Sequence, residues 1–116
     1  MSRRELELRA STVDALSVED GDLLLACAVY VREPEGAGRY HDALIRVKDG
    51  ISDREELECP LLLDGGSLAL NGDKFDEVIP LPLDEEGEVA LLLVPAESSE
   101  FVVRGSGIEI ELLPSN

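Results

Sequence analysis

The chain has 116 residues and carries 26 acidic against 10 basic side chains, a formal net charge of −16. That length fits one domain, and a hydrophobic content of 44% supplies a core and excludes disorder driven by low hydrophobicity. The charge balance is the reverse of what a phosphate-gripping surface needs, which disfavours nucleic acid and anionic membranes as partners. No run of about 18 apolar residues is present for a membrane-spanning helix.

Hydrophobic periodicity is two almost throughout. Glu5-Leu6-Glu7-Leu8-Arg9 alternates cleanly, with the leucines on one face. Residues 11–18 read two ways: Ser11 and Asp14 suit a capping box for a short helix, whereas Leu16 and Val18 suit a strand. Asp20-Gly21 predicts a tight turn. Leu23 to Val31 is apolar on both faces, as expected of a central strand covered on both sides or partly by a partner. Pro34, Gly36 and Gly38 place a loop at 33–38, and the alternation from Tyr40 to Lys48 makes an antiparallel hairpin across it. Asp49-Gly50 is a turn signal, and Ser52 with Glu55 has the spacing of a helix start, giving one short helix near 52–58 or an irregular strand.

Leu61-Leu62-Leu63 is expected to stop at Asp64-Gly65-Gly66, and Asn71-Gly72 to turn the chain again. Pro80 and Pro82 cannot donate to a ladder, so residues 74–83 belong to an edge or a crossing segment. Asp84-Glu85-Glu86-Gly87 reads as an acidic turn, and Val89 to Val94 as a second strand apolar on both faces. Gly105-Ser106-Gly107 is a bulge or a turn ahead of the half-exposed strand Ile108 to Leu112. The sum is a single all-β domain over 1–116, a small antiparallel sandwich or partly open barrel of about seven to nine strands.

The residues that carry chemistry are few. His41 is the single histidine, and its neighbour Asp42 points to the opposite face of a strand, which does not make the orienting pair of a triad. Cys59 lies among Glu55, Glu56 and Glu58, which should raise its pKa and disfavour the thiolate; Cys27 reads as a core hydrophobe. Spacing leaves a Cys27–Cys59 disulfide open. One histidine and two distant cysteines do not make an ordinary zinc site. Calcium is the only metal with candidate ligands, Asn71, Asp73, Asp76 and Glu77 around Gly72, and solvated turn residues explain the same letters. No catalytic residue, cofactor or metal site is assigned, and the chain is expected not to be an enzyme.

What remains is surface. Asp84, Glu85, Glu86, Glu88, Glu97 and Glu100 form one acidic run, and Asp53, Glu55, Glu56 and Glu58 another. Both read as solvated loops or as an acidic face that docks on a basic partner. The expected function is a protein–protein interaction module or accessory subunit. The alternative is an acidic inhibitor, an immunity-type protein or nucleic-acid mimic, working through those carboxylates. The expected partner is another protein, with self-association left open. Arg3 and Arg4 resemble the start of a signal peptide, but no apolar stretch follows them, so a cytoplasmic protein is expected.

A charge of −16 on so short a chain opposes compaction at low ionic strength. The melting temperature is expected to rise between low and moderate salt, and a value flat across that range in a thermal scan contradicts this account.

Overall fold

The computed structural model describes residues 4–34, 36–53 and 58–113. Its strands are β1 (Glu5–Glu19), β2 (Asp22–Arg32), β3 (Arg39–Lys48), β4 (Ile51–Ser52), β5 (Leu61–Leu70), β6 (Asp73–Asp76), β7 (Val78–Pro80), β8 (Leu83–Pro95) and β9 (Phe101–Leu112). All pair antiparallel in one sheet, and no helix occurs among the described residues. The order β5-β8-β9-β3-β2-β1 closes on itself because β5 returns to pair with β1. The expected small all-β fold is therefore a closed six-strand barrel.

Period-two patterning explains the closure. One side chain in two faces the lumen: Leu25, Val29 and Val31 from β2, Ala43, Ile45 and Val47 from β3, Leu91 and Leu93 from β8, Val103 and Ile108 from β9. Phe101 is the largest fully buried side chain. A barrel this small is filled by its own residues. Tight hairpins match the turn chemistry, with left-handed φ at Asp20 (52°) and Gly21 (84°) and at Asn71 (50°) and Gly72 (90°).

Among the local readings, one alternative is resolved and two stops are overturned. Residues 11–18 are strand throughout, part of β1, and Ser11 is no helix cap. Ser52 closes the short strand β4, and Arg54 to Leu57, with Glu55 and Glu56, which carry most of the helix expected near 52–58, lie outside the described residues. The Asp64-Gly65-Gly66 stop does not occur: β5 runs on through a register shift between Leu63 and Gly65. A Cβ on Gly66 would stand 2.5 Å from the Leu92 carbonyl oxygen, so the missing side chain lets β8 approach. The acidic turn at 84–87 is extended strand too, with Gly87 and Glu88 opposite Ser106 alone in a bulge.

The barrel seam is short. β1 and β5 pair only at Thr12↔Leu62 and Val13↔Leu61. Away from that point they diverge, and residues 73–80 fill the fork, β6 on β5 and β7 on β1. Between them the Glu77 N–H donates to the Gly66 carbonyl (2.9 Å) and the Glu77 carbonyl accepts from the Leu8 N–H (2.8 Å). β1 changes neighbours here at the cost of its register with β2, which breaks between Glu7 and Thr12. Ser11 repairs the break. Its buried hydroxyl donates to the Glu7 carbonyl (2.6 Å) and accepts from the Tyr30 N–H (3.2 Å). Removing it orphans a shielded donor, a loss of about 1–3 kcal/mol. Ser11→Ala is therefore expected to lower the urea midpoint with an unchanged slope, and a stability within about 0.5 kcal/mol of the parent would refute that role.

Candidate functional site

β1 begins, β2 ends and β3 begins at the same end of the barrel, and their outward side chains meet there. Glu5 stands opposite Arg32, Glu7 opposite Tyr30, and Tyr30 opposite Tyr40. The Arg32 guanidinium pairs with the Glu7 carboxylate. The two phenol rings meet edge to face at 5.3 Å and 71°. Gly38 packs close to this lattice: a Cβ there would lie 2.6 Å from the Tyr30 ring and would have to push the ring aside. Between loop and sheet lies an open groove of about 660 Å³, lined by Glu5, Glu7, Tyr30, Arg32, Glu33 and Pro34 with the loop glycines.

Glu33 joins this groove to the barrel mouth. One carboxylate oxygen accepts from Arg4 Nε at 3.1 Å, and the other lies 3.1 Å from His41 Nε2. The His41 hydrogen bond holds the Glu33 carboxyl below its ordinary range against the opposing cost of desolvation, and the Arg4 charge adds to it. His41 thus has an acidic partner, but Glu33 rather than the adjacent Asp42, whose carbonyl instead accepts from the Leu113 N–H (2.8 Å).

The structure does not bring a thiol to that imidazole. Cys59 precedes β5 at the opposite end of the barrel from the start of β3. Both cysteines are free, Cys27 buried and Cys59 exposed, so the disulfide left open by spacing is not formed. Burial pushes the Cys27 thiol up to about 12, with Asp14 adding repulsion. Cys59 is also raised, by desolvation first and then by Asp14, a residue that sequence proximity could not supply.

The acidic runs separate in space. Asp84, Glu85, Glu86 and Glu88 are exposed on the first half of β8, where Asp84 sits directly across from Glu109 and Glu86 reaches Lys48 Nζ at 3.4 Å. Glu97 and Glu100 lie in the loop after β8, so Asp84 is roughly 35 Å of extended chain away from them. Asp53 joins that far end: its carboxylate accepts from the Val102 N–H (2.9 Å) and its own N–H donates to the Val102 carbonyl (3.1 Å). Exposed Glu58 leads into β5 at the same end, while Glu55 and Glu56 lie outside the described residues.

The 71–77 turn is occupied by structure. The Asn71 side chain donates to the Glu86 carbonyl (3.1 Å) and accepts from the Glu88 N–H (2.9 Å), and Asp76 pairs with Lys74 at 3.3 Å. Among the described residues no three His, Cys, Asp or Glu side chains are grouped to hold a metal ion.

Sequence reasoning missed the groove. Its only advance signal is a Pro- and Gly-containing loop flanked by two tyrosines, which says nothing of Glu5, Glu7 or Arg4.

Glu33 supplies a pH test. Its pKa is lower folded than unfolded, so its contribution is complete above the ordinary glutamate value of about 4.3 and is lost as pH falls through the depressed folded value. The parent is expected to exceed Glu33→Gln in stability at neutral pH, with the gap closing on acidification in denaturant titrations. A gap independent of pH contradicts the pairing.

The chain matches no family model, no curated protein and no solved structure in these comparisons.

Proposed function

We propose that this protein is a non-catalytic protein-binding module, an accessory subunit of a larger assembly, and that it docks through the outer face of β2 and β3. The observation that carries the reading is β2 itself. Leu23, Leu25, Cys27, Val29 and Val31 serve the core, yet the opposite face is also apolar, where buried Leu24 is followed by half-buried Ala26, Ala28 and Tyr30. Leu44 of β3 and Ala15 of β1 flank Ala26, so the patch crosses three strands. The sheet neighbours of β2 are β1 and β3 alone, and Ala26, Ala28 and Tyr30 on this face remain partly exposed. Small side chains make it flat enough for a partner's backbone to approach, and Asp42 opposite Ala28 and Glu111 opposite Leu44 rim it with negative charge.

A second reading, the acidic inhibitor, has its own support. Asp84 faces Glu109 directly across two strands, a like-charge placement that Arg46, opposite Glu109 on its other side, offsets only from β3. A basic partner would relieve it. Such a partner would associate fast and lose its rate steeply with salt, whereas docking on the alanine patch would tolerate salt.

The test is affinity capture from the source cells with the parent and with Ala26→Arg, at low and raised salt, alongside light scattering. A defined partner, or a second copy, retained by the parent at both salts and lost with Ala26→Arg is the expected result. A strict monomer that retains nothing, or retention indifferent to Ala26→Arg, overturns the reading.

A further inference from the structure

The apolar face of β2 does not end at Ala28. Two residues on it reaches Tyr30 and then Arg32, both of which line the groove with Gly36 and Gly38. The lining carries Glu5, Glu7 and Glu33 against Arg32. Arg32 is committed to Glu7, and Glu33 shares its two oxygens between Arg4 and His41. Glu5 has no ion-pair partner among the described residues, although it lies beside Arg32 in the lattice. The groove is open to solvent and measures about 660 Å³, room for the head of one long side chain. An aromatic face, an unmatched carboxylate and a shaped opening together select a cation, and a planar one best, because a guanidinium stacks on a phenol ring while its N–H edge meets a carboxylate.

We propose that this groove is the specificity pocket of the docking face and receives an arginine side chain from a basic segment of the partner protein, its guanidinium on the Tyr30 ring and its N–H groups on the Glu5 carboxylate. This rests on the binding-module reading and adds the chemistry of the partner. The alanine surface supplies area, and the groove supplies direction and sequence preference. Gly38 lies close against the Tyr30 ring and borders the groove on that side.

The test uses the intact protein and a fluorescein-labelled hexa-arginine peptide followed by anisotropy. Glu5→Lys and Tyr30→Leu are each expected to weaken binding at least about tenfold, the equivalent of 1.4 kcal/mol. Tyr30→Phe, which keeps the ring face, should stay within about twofold. Glu97→Lys makes the same charge change at the far end of β8 and should also stay within about twofold, which separates the groove from general attraction to an acidic protein. Hexa-lysine should bind more weakly than hexa-arginine. Equal losses for Glu5→Lys and Glu97→Lys, or a parent that does not bind hexa-arginine, overturn the proposal. Thermal melts check each variant's fold. If Tyr30→Leu fails to fold, the Glu5→Lys and Glu97→Lys pair still decides. Failure of the groove leaves the Ala26→Arg capture result standing, so the two readings fail separately.

Discussion

β1 has to serve two neighbours along a single edge, and the barrel exists because it does. Near its start it pairs with β7, and farther along it pairs with β5, the strand that closes the ring. A regular strand cannot turn from one to the other without losing ladder partners on its opposite edge, and an unpaired shielded amide costs about as much as a lost hydrogen bond. The break falls at residues 8–11, and three backbone or hydroxyl groups absorb it: Glu77 bridges Leu8 and Gly66, and Ser11 holds Glu7 and Tyr30. Lumen packing then rewards closure over the whole circumference. Each buried Leu, Ile, Val or Phe contributes about 1.5–3 kcal/mol relative to exposure, in the usual area accounting.

The same repair shapes the groove. The Tyr30 amide is the one that Ser11 satisfies, so the bulge in β1 fixes the backbone from which the Tyr30 ring projects. Glu5 and Glu7 sit on the stretch of β1 before the bulge, and their β2 partners are Arg32 and Tyr30. Closure, bulge and groove are consecutive consequences of one change of partner. Arg4, Glu33 and His41 then fasten the start of β1, the end of β2 and the start of β3 at that mouth. None of these side chains is close to the others in sequence except by way of the sheet.

Charge is distributed as unevenly as the sequence suggests, but along different lines. From Glu58 to Glu100 there are eleven carboxylates and one cation, Lys74, and three of the four strands of that stretch, β5, β6 and β8, form one side of the barrel, while β7 pairs with β1. Arg4, Arg9, Arg32, Arg39, Arg46 and Lys48 belong to the other side, on or beside β1, β2 and β3. Several are tied to acids there, Arg46 to Asp22 at 2.8 Å among them. The molecule is thus polar across its barrel axis, with a heavily negative wall and a more balanced one, and the alanine face and groove lie on the balanced wall. That separation favours a partner that meets area and a single cationic anchor there over one drawn to charge alone.

Alternation of apolar and polar side chains determined the all-β class, the hairpin across 33–38 and the turns at Asp20-Gly21 and Asn71-Gly72, because side-chain period and left-handed turn residues are local properties. It also marked β2 as apolar on both faces. It misread Asp64-Gly65-Gly66 and Asp84 to Gly87 as interruptions, since a glycine that admits a neighbouring strand and a glycine that ends one look alike until the neighbour is in place. Closure, the use of Ser11 as a stand-in for a ladder partner, the pairing of His41 with Glu33 and the groove over Tyr30 were decided only by tertiary structure. Each depends on register between strands, and register is set by the summed packing of the lumen, which no single segment contains.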